Sequence, residues 1–157
     1  MPEANDPDQG RALYYVGWYH GQLGDHHQML TYCQQALALN QKFGNRRSEG
    51  YTLNGIGYAH HHLGHYEQAI AYYQQALDLR SELTDRYGQA VSYNYLGDAH
   101  HAVGNTDAAR HAWKNALDVL GSLGHADVAH VGSDEIRAKL LHLDTHRPEL
   151  RSSTETE

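Results

Sequence analysis

Tyr93-Asn94-Tyr95-Leu96-Gly97-Asp98-Ala99-His100-His101, followed by Gly104, Ala108-Ala109, Trp113 and Ala116-Leu117, has a counterpart 40 residues earlier and another 80 residues earlier. Gly17, Gly57 and Gly97 share one register, and His20, His60 and His100 a second. Gly24, Gly64 and Gly104 share a third, and Ala36-Leu37, Ala76-Leu77 and Ala116-Leu117 a fourth. A single globular core gives no reason for such recurrence. A stack of identical supersecondary units does, because each unit must offer the same faces to its neighbours.

Each unit reads as two helices. From Ser48 to Leu63 the apolar or small positions are Leu53, Ile56, Gly57 and His60; from Tyr66 to Leu83 they are Ala69, Ile70, Tyr73, Ala76, Leu77 and Leu79. These steps of three and four fit amphipathic helices. Gly64 is a helix stop, and Asp25 and Asn105 are N-cap residues for the helix that follows. Second helices end on Phe43, Leu83 or Leu123, then Gly or Thr, then Asn45, Asp85 or His125. A mid-helix glycine costs about 1 kcal/mol against alanine, so Gly17, Gly57 and Gly97 predict close helix contacts, with the small Ala69 and Ala109 opposite.

The register resembles the tetratricopeptide repeat family in a 40-residue form. The third unit carries it on the residues quoted above, and the second on Asn54, Ile56-Gly57, Tyr58-Ala59, Gly64-His65-Tyr66, Ala69-Ile70, Tyr73 and Ala76-Leu77. The first unit departs at Met29 and Cys33, and the proline that usually follows the second helix is missing from all three. The resemblance implies an all-α, right-handed α-solenoid of three helix hairpins, at about 7–44, 45–84 and 85–124. Carrying the register on places a capping helix over about 126–143, with Ile136, Leu140 and Leu143 inward and Arg137 in place of the packing glycine. Gly132-Ser133 is a point where that helix can break or restart. Residues 1–6 and 144–157 are polar and expected to be flexible.

Composition sets further bounds. No apolar run approaches a membrane span, and the first residues lack a signal-peptide core, so a cytoplasmic protein is expected. The lone Cys33 excludes an internal disulfide and reads as a packed thiol. A formal charge of -7, with Arg46-Arg47 the only adjacent basic pair and placed in a turn, argues against direct nucleic-acid binding. No nucleophile elbow, phosphate loop or metalloprotease segment is present, so no catalytic residues are assigned and no enzyme is expected.

The resemblance further implies that first helices line a concave groove that binds a peptide segment or a partner helix. The positions facing it are Arg11, Tyr14, Trp18 and Gln22 from the first unit, Tyr51, Asn54, Tyr58, His61 and His62 from the second, and Asn94, Asp98 and His101 from the third. This face is aromatic and amide-rich, as binding hot spots are. Asn54 and Asn94 share a register, and an amide can pair with both the N–H and the C=O of a docked main chain. Tyr15, Tyr73, Tyr95 and Trp113 read instead as fillers between stacked helices.

The 14 histidines raise a metal reading. Zinc needs three or four ligands at about 2.0–2.3 Å; His20, His60 and His100 fall on the buried side, leaving only His61, His101 and Asp98 or His62 to converge. We therefore read the buried-register histidines as substitutes for tyrosine and expect no metal or other cofactor. The rival class is a small-molecule or metal sensor using the His- and Tyr-rich groove. The third unit also resembles repeats at the C-terminal ends of actinobacterial transcriptional regulators of the Streptomyces antibiotic regulatory type, which implies a regulatory part of a transcription factor. Homo-oligomerisation is left open.

Overall fold

The computed structural model describes residues 6–124, 127–128 and 131–146. Helices α1 (Gln9–Gln22), α2 (His26–Lys42), α3 (Arg46–His62), α4 (Tyr66–Glu82), α5 (Arg86–Ala102) and α6 (Thr106–Ser122) form three antiparallel hairpins, and α7 (Ser133–Thr145) closes the stack. Each helix packs on the next in sequence. In addition α1 touches α3 and α3 touches α5, so the first helices line one common face of an all-α solenoid. No described helix is long and apolar enough to cross a membrane.

The turns follow the polar residues expected to make them. The Asp25, Asn45, Asp85 and Asn105 side chains each accept the backbone N–H three residues on, capping α2, α3, α5 and α6. His65 before α4, Asp8 before α1 and Gly132 before α7 make no such bond. Gly24, Gly44, Gly64, Gly104 and Gly124 end their helices with φ between 65° and 84°. Thr84 occupies the same register as Gly44 and Gly124 with φ 53°, a left-handed conformation that a β-branched residue resists.

The core is a chain of four clusters between units. Cys33 is fully buried beside Met29, Ile56 and Ala59. The packing glycines behave differently from expectation, since rings rather than Ala69 and Ala109 face them. A β-carbon at Gly57 would stand 2.6 Å from Cε1 of Tyr73, and one at Gly97 would collide with the indole of Trp113. Tyr73 and Trp113 are 1% and 3% exposed, so each glycine makes the slot that an aromatic ring fills. In the first unit Gly17 faces Tyr32, Met29 and Cys33 instead.

Other expectations change as well. The histidines of the common register are half-buried rather than buried, because their rings lie along the helix surface: His20 stacks on Tyr32 and His60 on Tyr72. The cap helix begins not near 126 but at Ser133, the Gly132-Ser133 restart point; a two-residue antiparallel ladder pairs Asp127–Val128 with Val131–Gly132 before it. It also runs past 143 to Thr145, where Asp144 pairs with Arg110 at 2.6 Å, so residues 144 and 145 are helical, against expectation. Ile136 and Leu143 are buried on α6 and Arg137 is exposed, as the cap reading requires. Residues 1–5 and 147–157, expected to be flexible, lie outside the described residues, as does His125. Arg46 and Arg47 start α3 rather than sit in a turn, and Arg46 pairs with Glu82.

Tyr15 was expected to fill a gap but is 62% exposed, along with Val16 at 43%, Tyr19 at 64% and Leu23 at 66%. Their counterparts one unit on, Gly55, Ile56 and Ala59, are buried against α2. The same face of the repeat is thus covered by a preceding unit in α3 and uncovered in α1.

Two stability measurements check this packing. Gly97→Leu places a side chain where the Trp113 ring stands, and should cost about 1–3 kcal/mol or more and lower the melting temperature by roughly 3–10 °C; an unchanged melting curve would remove the slot argument. Thr84→Gly relieves the left-handed φ and should raise stability by about 1 kcal/mol in urea titration, whereas destabilisation would mean that the threonine side chain contributes more than its backbone costs.

Candidate functional site

The inner face divides into two regions of different chemistry. At the end nearer α1, the Tyr14, Trp18, Tyr51 and Tyr58 rings form a continuous aromatic surface. Trp18 and Tyr58 have centroids 5.2 Å apart, and Tyr14 lies 6.3 Å from both Trp18 and Tyr51. Tyr95 reaches Tyr58 edge-on at 5.9 Å, and His62 packs on Tyr58 at 4.2 Å and on His26 at 4.5 Å. Apart from His26, which starts α2, these residues come from α1, α3 and α5, where positions three, four and seven apart fall on neighbouring stripes of the helix face.

Between these helices lies a pocket of about 220 Å³ walled by Tyr14, Trp18, Tyr51, Val91 and Tyr95, with Asn54 and Arg80 among its lining. Arg80 belongs to a second helix, where sequence reading placed nothing of the groove. It reaches the inner face because two glycines clear its way: its side chain lies 3.5 Å from where a β-carbon of Gly50 would be, and it fills the space a side chain at Gly88 would need. The guanidinium lies 4.7 Å over the Tyr51 ring, and Nη1 donates to Asp85 Oδ2 at 3.0 Å. Arg80 is 2% exposed. Burial pushes the Tyr95 hydroxyl up to about 12, and raises Tyr14 further, with Cys33 adding to the effect; both phenols stay neutral donors at any ordinary pH.

At the other end the groove is polar and already engaged. Lys139, from α7, meets Asp98 Oδ1 at 2.8 Å, Glu135 at 3.0 Å and Asn94 Oδ1 at 3.1 Å, and lies 5.8 Å over Trp113. Trp113 Nε1 also donates to Asp98, at 3.0 Å. His61 and His101 line the same cavity, His101 against Trp113. Among the described residues, no three His, Cys, Asp or Glu side chains are placed to hold a metal ion.

The structure therefore separates the expected site residues. Tyr14, Trp18, Tyr51, Asn54, Tyr58 and His62 gather at one end; His61, Asn94, Asp98 and His101 gather at the other. Arg11 pairs with Asp8 at 3.2 Å and borders a separate hollow, and Gln22 is exposed beyond the cluster. The two asparagines differ from expectation in being buried, 5% and 4% exposed. Asn54 Oδ1 accepts from the Ser92 hydroxyl at 3.2 Å and Asn94 Oδ1 from Lys139, so each amide oxygen already has a partner within the protein.

Several imidazoles are held below their ordinary range. Burial is the main cause at His60, His61, His62 and His100, reinforced at His60 by His65 and at His62 by His26 and then His61. His60 and His65 face each other with their Nδ1 atoms 3.3 Å apart, a geometry that accepts one proton and opposes two. A folded-state pKa below the unfolded value of about 6.5 means that the unfolded chain binds more protons below that pH. The associated stability is present above pH 6.5 and is lost as pH falls through the folded values. Partial exposure screens the effect, so the melting temperature should fall modestly but measurably from pH 7.5 to pH 5, and less in a His60→Phe, His62→Phe double variant. A melting temperature that rises on acidification would contradict the assignment.

Comparison with known proteins agrees with this architecture. The tetratricopeptide repeat profile matches residues 8–82 and 48–122. No curated protein sequence matches the chain. Among solved structures, the TPR domain of Arabidopsis FLU aligns at 18% identity over 73% of this chain and 97% of its own, TM-score 0.69. The N-terminal domain of stress-induced protein-1 (STI-1) from C. elegans aligns at 14% identity over 88% of this chain and 96% of its own, TM-score 0.66. A Rap protein complexed with Competence and Sporulation Factor aligns at 18% identity over 89% of this chain, with TM-score 0.79. This chain spans only 38% of that Rap protein and 51% of the related RapI, so there it corresponds to part of a longer array. At these identities the likeness speaks for the fold, and the profile match over most of the three hairpins settles the lineage: the chain belongs to the tetratricopeptide repeat family.

Proposed function

We propose that this chain is a non-catalytic interaction domain that binds a peptide segment or a partner helix along the inner face of its first helices. The observation that carries the proposal is the aromatic surface of Tyr14, Trp18, Tyr51 and Tyr58, drawn from two successive units and opening on the pocket between α1, α3 and α5. Rigid aromatic side chains give large contact area for little lost entropy, which is why they dominate binding hot spots. Tyr51 remains 40% exposed, more than packing alone calls for. Similarity to a Rap protein solved with a bound factor is consistent with a binding role for such arrays.

The anchors are therefore the rings rather than an asparagine ladder. Binding begins at the end near α1, because Asn94 and Asp98 are held by Lys139 at the other. Participation as the regulatory part of a transcription factor rests on the resemblance of the third unit alone, and direct nucleic-acid binding is not part of the proposal. A sensor of small molecules or metal, the reading from another class, would draw on the same rings and histidines.

Partners pulled from the source lysate and then titrated individually provide the test. Trp18→Ala or Tyr58→Ala should weaken binding by about 2 kcal/mol, near 30-fold. Gln74→Ala, on the outer helix α4, should change it by less than about 0.5 kcal/mol, and chelator should leave it unchanged. The opposite ranking would move the interaction to the outer face, and loss in chelator would favour the sensor.

A further inference from the structure

Inside this binding face, two buried donors lack acceptors. Asn54 Nδ2 and Arg80 Nε make no hydrogen bond among the described residues, although the side chains that carry them are 5% and 2% exposed and both line the pocket. Buried donors are nearly always paired in folded chains, because the desolvation they suffer is not otherwise repaid. Neither is free to turn away. The Ser92 hydroxyl fixes Asn54 by its oxygen, and Asp85 and the Tyr51 ring fix Arg80.

We propose that this pocket is a carboxylate-reading subsite, in which Arg80 and Asn54 bind an acidic group carried on an apolar or aromatic stem. The inference rests on the reading of the inner face as the binding face and names what that face selects. Three observations point to a carboxylate. Both unpartnered atoms are donors, as an anion requires. Among the described residues, Arg80 is the one cation lining the pocket, and no Asp or Glu lines it. Asp85, the partner of Arg80, engages Nη1 and leaves Nε unpaired, since its other oxygen accepts the Gly88 N–H at the start of α5. The guanidinium thus keeps an Nε–H for a second acceptor, and charge-assisted bonds of this kind are the strong ones.

The walls and the size define the stem. Tyr14, Trp18, Tyr51, Val91 and Tyr95 surround the donors, so the group next to the carboxylate must be apolar or planar. A volume of about 220 Å³ lies below the range of drug-sized sites and suits one side chain or a small acid. The cavity at the α7 end offers no equivalent, because its cation, Lys139, already has acceptors in Asn94, Asp98 and Glu135.

Both donors carry nitrogen-bound protons that proton–nitrogen correlation spectra report directly. Phenylacetate and phenylacetamide serve as free probes, and blocked peptides that differ only by Glu or Gln beside Leu serve as tethered ones. Saturable shifts of the Arg80 Nε–H and Asn54 Nδ2–H₂ signals are expected with acids, with the amide or Gln counterpart at least 10-fold weaker. Asn54→Asp keeps the acceptor for Ser92 and turns the pocket against anions, so acid binding should be lost while signal dispersion stays native. Arg80→Lys should weaken it at least 10-fold; should that variant unfold, Asn54→Asp and the wild-type Nε–H signal carry the decision. Tighter binding of phenylacetate than of the Glu peptide assigns the subsite to a free acid, and the reverse to a docked segment. Equal affinity for acid and amide, or no saturable shift up to about 20 mM, would overturn the subsite. If Glu and Gln peptides bound alike through Trp18 and Tyr58, the subsite would fail and the groove reading would stand.

Discussion

The glycine-to-ring contact inside the second and third hairpins is the constraint on which the other features depend. Gly57 admits Tyr73 and Gly97 admits Trp113, and the ring then occupies volume that two ordinary helix surfaces would have left to their own side chains. This sets how near the second helix lies to the first, and therefore the tilt at which the next unit meets it. Tyr73 stacks on Tyr95 of the following unit at 5.4 Å, so the same ring that fixes the hairpin also fixes its neighbour. Trp113 extends the logic through its Nε1–H, which holds Asp98 in position for Lys139 of the cap. The glycine penalty of about 1 kcal/mol in mid-helix is offset by burial of a whole aromatic ring.

The inner face inherits its asymmetry from this repetition. Equivalent positions start out chemically similar in each unit, and what distinguishes them is the neighbour they receive. Asn54 is followed by α5 and meets the Ser92 hydroxyl, whereas Asn94 is followed by α7 and meets a lysine. A repeat array thus makes one end of its groove apolar and open and the other ionic and filled without altering its backbone. Arg80 adds a device of another kind, since a residue rooted in the outer layer is passed through the gap between first helices. Asn40 stands in the same register one unit earlier, fully buried, with its Nδ2 on Thr52 and its side chain against Gly10. The opening between units is a common feature, and what fills it differs from unit to unit.

Periodicity made the hairpins, their caps and the capping helix legible, because the 40-residue register repeats backbone requirements that have few chemical solutions: glycine at left-handed φ, Asp or Asn at the N-cap. Side-chain environments were less legible. The burial of Asn54 and Asn94 depends on how far successive first helices stand apart, which no single helix pattern encodes. Arg80 was hidden because a cation in the last turn of a helix is ordinary on dipole grounds; its only trace in the sequence is the pair Gly50 and Gly88, and neither belongs to the register that drew attention. Tyr15 was misplaced because its counterparts are buried by a preceding unit, and the start of the cap was misplaced because the register was carried across Gly132-Ser133, where the chain changes to an extended pair.

The uncovered side of α1 bears on how this array comes apart. In a linear stack, the free energy that holds a unit is its own plus one coupling for each neighbour, and interior units have two. Tyr15, Val16, Tyr19 and Leu23 face solvent, so among the described residues the first hairpin has a single coupling, while the third has α7 on its far side. Opening should therefore proceed as a zipper from α1 and α2 toward α5 and α6, with amide exchange fastest in the first hairpin and slowest in the last two. The aromatic end of the groove lies on this more readily opened hairpin. A ligand that bridges Trp18 on α1 to Tyr58 on α3 would supply the missing coupling, so occupancy and the folding of the first unit become linked equilibria.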